Sequence, residues 1–140
     1  MSTRADGSGK PQDAATRPLV VVVDDDESVR ESLPDLLRGL GFAAQSFASA
    51  DAFLSSELLS VAQCLLLDVC MPGGSGPELQ QALAARGISV PIIFITARAD
   101  ESVREQLLRG GAAACLFKPF SELQLQLALD GALRQIGASR

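Results

Sequence analysis

From Pro18 onward, short apolar runs alternate with longer stretches in which apolar residues recur every three or four positions. Leu19-Val20-Val21-Val22-Val23 is a continuous run rich in β-branched residues, closed by Asp24-Asp25-Asp26-Glu27. That pattern suggests a strand covered on both faces, as in parallel sheets. Val29, Leu33, Leu36, Leu37 and Leu40 then follow the i, i+4, i+7, i+8, i+11 spacing of an amphipathic helix. Asp26 suits its N-cap and Gly41 its stop. Pro34 falls inside this helix, where proline costs about 3 kcal/mol. The apolar stripe is complete on both sides of Pro34, so the helix is predicted to continue through it.

The unit repeats. Phe42 to Phe47 forms a short second strand, and Ser49 caps a helix with Ala50, Phe53, Leu54 and Leu58 inward. Cys64 to Leu67 is the third strand, followed by a helix from about Pro77, proline being favoured at the first helical position. Ile92-Ile93-Phe94-Ile95 ends at Thr96, and Asp100 opens a helix with Val103 and Leu107 inward, stopped by Gly110-Gly111. Ala112 to Phe117 is the fifth strand and runs into Lys118-Pro119. The segment after it reads two ways. Leu123, Leu125, Leu127 and Leu129 alternate as in an exposed strand, whereas Leu125, Ala128, Leu129, Ala132, Leu133 and Ile136 form a helical stripe. A capping box of Ser121 and Gln124, together with the length of the stripe, predicts helix. Five strands alternating with five helices through short connections imply an α/β fold, a parallel sheet with helices on both faces. Residues 1–17, rich in Ser, Gly, Asp, Thr and Ala without periodicity, are predicted to be a disordered tail, leaving one domain over 18–137.

Composition narrows the chemistry. The 140-residue chain is 47% hydrophobic, which excludes general disorder, yet has no apolar run approaching the ~18 residues of a membrane helix and no signal-peptide core. A soluble, cytoplasmic protein without membrane association is expected. The net charge of −5 and the absence of any Lys/Arg cluster argue against direct nucleic-acid binding. Cys64, Cys70 and Cys115 lie in or beside apolar runs and read as reduced thiols. There is no histidine, which removes histidine relays and most zinc sites, so any metal must be hard and oxygen-bound.

The chemically capable residues fall at strand ends: Asp24 and Asp25 after the first, Asp68 after the third, Thr96 after the fourth, Lys118 after the fifth. Taken singly, each has an ordinary role as helix cap, turn residue or surface charge. In a parallel sheet these ends share one edge, where open α/β sheets bind ligands. Three carboxylates within about 5 Å repel by about 3 kcal/mol per pair at an effective dielectric of 20. A divalent cation offsets that, and Mg²⁺ suits an all-oxygen site that keeps several waters. Metal, ammonium and hydroxyl around one carboxylate can spread the charge of a transferring phosphoryl group, with the carboxylate itself as nucleophile.

The acidic pair after the first strand, the D-x-x-M-P-x-x-S-G motif (Asp68, Met71, Pro72, Ser75, Gly76), the I-T-A run ending the fourth strand, and Lys118-Pro119-Phe120 together resemble the receiver domain of two-component response regulators. The resemblance runs from about Leu19 to Ile136. The stretch Phe47 to Leu54 is similar to the nitrogen-fixation-type transcription regulators. What the resemblance implies is a flavodoxin-like doubly wound five-stranded sheet of order 2-1-3-4-5 with five helices on two faces. It also implies Asp68 as phosphoacceptor, and Mg²⁺ held by Asp25, Asp68 and the backbone carbonyl of Cys70, with Asp24 acting mainly through metal-bound water. Thr96 and Lys118 would contact the phosphoryl group, and the Lys118-Pro119 peptide would be cis. The donor would be a histidine kinase or phosphotransfer protein, the output a switched face of helix four, strand five and helix five. A phosphorylation-dependent homodimer across that face is expected from Leu123 and Leu127, which lie outside the inward stripe. One departure bears on output: receivers usually carry an aromatic three residues before the lysine, and here that residue is Cys115.

Three other readings stand beside a non-enzymatic phosphoryl-accepting switch. An aspartyl-nucleophile phosphatase needs a second Asp two residues on, where Cys70 stands. A phosphorylation-independent interaction module is kept open by Cys115. The domain can also be the regulatory part of a DNA-binding transcription regulator.

Overall fold

The computed structural model describes residues 17–69, 76–97 and 101–138. The strands are β1 (Leu19–Val23), β2 (Ala43–Phe47), β3 (Cys64–Asp68), β4 (Ile92–Thr96) and β5 (Ala114–Phe117). The helices are α1 (Glu27–Gly39), α2 (Ala50–Leu54), α3 (Gly76–Ala85), α4 (Glu101–Arg109) and α5 (Glu122–Ala138). Every strand pairing is parallel, as the alternating pattern predicts, and the order is β2-β1-β3-β4-β5, the 2-1-3-4-5 sheet that the resemblance implies.

Side-chain alternation divides the core in two. Val20, Val22, Cys64, Leu66, Ile93 and Ile95 face Leu33 and Leu37 of α1 and Leu125, Leu129 and Ala132 of α5. Val21, Val23, Leu65, Leu67, Ile92 and Phe94 face Phe53 of α2, Leu79 and Leu83 of α3 and Leu107 of α4. β1 and β3 are buried on both faces, which is why they read as unbroken apolar runs. Each fully buried Leu or Ile contributes roughly 2 kcal/mol of transfer free energy.

Local signals explain the ends. Asp26 caps α1, its carboxylate accepting from the Ser28 N–H at 2.9 Å, and Pro34 lies buried within the helix without ending it. Gly41 and Gly111 follow α1 and α4 with φ of 101° and 107°, a region that only glycine enters cheaply. Ser121 and Gln124 form the capping box before α5, each side chain accepting from the other's backbone N–H at 3.0 and 2.8 Å. The cap, together with burial of Leu125 and Leu129, resolves the two readings of this segment in favour of helix.

The second helix is shorter than its stripe suggested. α2 ends at Leu54, and Leu58 lies instead in a 3₁₀ turn over Glu57–Ser60 that Ser56 caps at 3.2 Å. The run Ser55-Ser56 offers the backbone side-chain acceptors that compete with helix continuation. The second and fifth strands begin one and two residues later than expected, at Ala43 and Ala114. The tail before Arg17, Met71 to Ser75 and the opening at Asp100 lie outside the described residues. Among the described residues no helix is long and apolar enough to cross a membrane.

Candidate functional site

Register sets the site. Val23 pairs with Leu67 and Asp68 with Ile95, so Asp24 leaves β1 beside the end of β3. Ile95 pairs with Leu116 and Thr96 with Phe117, which brings Lys118 to the same rim, its N–H donating to the Thr96 carbonyl at 2.8 Å. Carboxylate oxygens of Asp24, Asp25 and Asp68 lie within 4.8 Å of one another. The expectation that strand ends gather these acids is met. The Lys118-Pro119 peptide is cis.

Asp24 is only 1% exposed, and a carboxylate so buried must be paired and hydrogen-bonded. One carboxylate oxygen accepts from the Asp26 N–H at 2.9 Å, and the other takes the Lys118 ammonium at 3.3 Å. The Asp24 N–H donates to the Phe47 carbonyl at the end of β2, and its carbonyl accepts from the Arg30 guanidinium at 3.0 Å. Asp25 is exposed and Asp68 half-buried, so the cluster opens outward from Asp24. Thr96 is buried at the end of β4, where alternation gives it the parity of the α2–α4 face, directly across from Phe117. Cys70 lies outside the described residues.

Among the described residues the donor set is carboxylate oxygen alone. With no histidine in the chain, and with the Cys64 and Cys115 thiols packed into the core, the donors gathered among the described residues suit a hard cation such as Mg²⁺. Burial pushes the Cys64 thiol up to about 12 and raises that of Cys115, which keeps both protonated and unreactive near neutrality. Asp26, one position from the cluster, is held below the ordinary carboxylate range by the Ser28 hydroxyl and N–H. Its carboxylate serves the helix cap.

Besides the Lys118–Asp24 pair, two features were not anticipated. Arg30 lies six residues after Asp24, a spacing that belongs to no helical neighbour rule. Beside Lys118, a groove of about 650 Å³ runs between α1 (Val29, Ser32, Leu33, Leu36) and Pro119-Phe120. It is mainly apolar and borders the acidic cluster through Lys118.

Comparison with known proteins adds a family model, the response regulator receiver domain, which matches residues 20–130. Nodulation protein W of Bradyrhizobium diazoefficiens is 42% identical over 119 residues, covering 85% of this chain and 52% of that protein. Transcriptional regulatory protein FixJ of Azorhizobium caulinodans is 40% identical over 114 residues, covering 81% and 54%. A response regulator receiver protein from Burkholderia phymatum has a solved structure similar to this one at TM-score 0.72 and 45% identity, covering 84% of this chain and 95% of that one. The chain spans about half the length of the curated relatives it matches.

Proposed function

The chain belongs to the response regulator receiver domain family, and from that premise we propose that it is a phosphoryl-accepting switch with Asp68 as the acceptor. The observation that carries the reading is the meeting of the Asp24, Asp25 and Asp68 carboxylates within 4.8 Å, with the Lys118 ammonium 3.3 Å from Asp24. A histidine kinase or phosphotransfer protein is the donor. In the transfer, the Asp68 carboxylate oxygen forms a bond to phosphorus as the P–N bond to the donor imidazole breaks. Mg²⁺ would be held by Asp25, Asp68 and the Cys70 carbonyl, with Asp24 reached through water, and would supply positive charge against the phosphoryl oxygens.

The remaining roles belong to this chain's own side chains. Asp24 stores the Lys118 ammonium at the rim, from which it can turn to a phosphoryl oxygen on Asp68. Thr96 offers a neutral hydroxyl from the adjacent strand end. The apolar groove between α1 and Pro119-Phe120 suits the docking of the donor, because it borders the acceptor site without covering it. Output leaves by the face of α4, β5 and α5, where Leu123 and Leu127 are 64% and 60% exposed and suit phosphorylation-dependent pairing of two copies. The domain spans residues 18–137 after a short tail and has no turnover substrate beyond slow loss of its own phosphate. The names of its relatives favour a place in a transcription regulator.

The test is gel retardation of the phosphorylated form after treatment with acetyl phosphate. Wild type should shift with Mg²⁺ and not with EDTA, and Asp68→Asn should not shift at all. A wild-type level of phosphate on Asp68→Asn would remove the proposal.

A further inference from the structure

We propose that Arg30 is a positioning residue for the cation site: by gripping the Asp24 carbonyl it fixes the Asp24–Asp25 peptide and so aims the Asp25 carboxylate at Asp68. The inference rests on the reading of the acidic cluster as a Mg²⁺ site. Every polar group of Asp24 is tied to a different part of the fold. Its N–H goes to Phe47 at the end of β2, and its carboxylate goes to Asp26 and to Lys118 after β5. Its carbonyl goes to Arg30 in α1 at 3.0 Å. Asp25 has none of this support. It is exposed, and no hydrogen bond among the described residues reaches its carboxylate. Its direction is therefore set by the two peptides that flank it: the Asp24 carboxylate holds the N–H of the following one, and among the described residues Arg30 is the only side chain holding the oxygen of the preceding one.

Arg30 is itself anchored. Its N–H donates to the carbonyl of Asp26, the cap of α1, and its carbonyl accepts from the Ser46 hydroxyl of β2 at 3.4 Å. The guanidinium thus returns from a fixed point on the helix to the turn that precedes it. A fork of donors on a long stem suits this better than a shorter side chain.

A positioning role and a purely electrostatic one predict opposite signs. As a charge, the guanidinium would oppose a divalent cation bound at the neighbouring cluster, so its removal would tighten binding. As a clamp on the Asp24–Asp25 peptide it favours binding, so its removal loosens it.

Isothermal titration calorimetry with Mg²⁺ decides between them; the chain has no Trp or Tyr to report by fluorescence. Arg30→Ala should weaken Mg²⁺ about tenfold, or ~1.4 kcal/mol. Arg30→Lys, which keeps a donor of similar reach, should stay within roughly threefold of wild type. Ser46→Ala removes a side-chain link from β2 to the Arg30 carbonyl without touching Asp24, and should leave Mg²⁺ affinity unchanged. Arg30→Met keeps the aliphatic stem and should repeat the loss, deciding the case if the alanine variant does not fold. Equal or tighter binding by Arg30→Ala or Arg30→Met overturns the proposal, as does a loss in Ser46→Ala matching that in the Arg30 variants. If Asp25→Ala binds Mg²⁺ as wild type does, or wild type does not bind it, the reading of the cluster has failed, and the Arg30 proposal falls with it.

Discussion

Asp25→Asn removes one charge from a cluster of three and, among the described residues, breaks no hydrogen bond. Each carboxylate pair at the cluster's 4.8 Å limit repels by about 3.5 kcal/mol at an effective dielectric of 20, and by about 0.9 kcal/mol in bulk water. Asp25 is exposed, so the solvent-screened end of that range applies, and losing two such repulsions should stabilise the metal-free domain by roughly 2 kcal/mol. For a domain of this size that is a rise in Tm of roughly 8 °C in EDTA. Mg²⁺ narrows the gap: at ten times its Kd it stabilises wild type by about 1.4 kcal/mol and the variant by much less. Differential scanning fluorimetry with an external dye, in EDTA and then across a Mg²⁺ series, measures both arms. A variant less stable than wild type in EDTA, or one that gains as much from Mg²⁺, would refute the claim that these acids are held together against their own repulsion.

Other consequences follow from the same geometry. Lys118→Ala strands Asp24, buried to 1% exposure, without its ammonium, and should cost about 3 kcal/mol by urea denaturation in EDTA; a neutral result would mean that the pair is incidental. Cys64, with its thiol raised to about 12, is protonated in the folded state while an unfolded thiol ionises near 9. The contribution of Cys64 to stability is therefore fully present below pH 9 and falls by about 1.4 kcal/mol per unit as pH rises from there toward 12, and Cys64→Ala should make the alkaline decline shallower by that amount. Cys115 is small and packs in the same core as Phe94 and Phe117, whereas Phe117 lies directly across from Thr96. Phosphorylation-dependent partner binding or dimerisation should therefore survive Cys115→Ala and fail in Phe117→Ala at unchanged phosphate uptake, as pull-down or ultracentrifugation would show; loss in Cys115→Ala alone would reverse that assignment.

Much of this was visible in residue order because the fold rests on local rules. The runs Leu19 to Val23 and Cys64 to Leu67 are apolar on both faces, and Asp26, Ser49 and Ser121 announce helices through caps. The convergence of Asp24, Asp25 and Asp68 followed from a parallel sheet presenting its strand ends on one edge. What the order of residues did not show were contacts without a periodic signature. The Lys118–Asp24 pair joins residues far apart in sequence, and Arg30 reaches back across a helix start. The early end of α2 depended on Ser55 and Ser56 outweighing an apolar stripe that continued to Leu58. Side-chain parity placed Thr96 on the sheet face away from α1 and α5, which becomes evident only once the register is known.

The central claim is that Asp68 takes the phosphoryl group, and chemical trapping addresses it at the level of the residue. Wild-type protein treated with acetyl phosphate and Mg²⁺ and then reduced with borohydride should carry homoserine at position 68, since hydride converts the acyl phosphate to an alcohol and expels phosphate. Peptide mass spectrometry should find that product at Asp68 and leave Asp24 and Asp25 unmodified. Homoserine at either of those positions, or at none while phosphate is incorporated, would contradict the account.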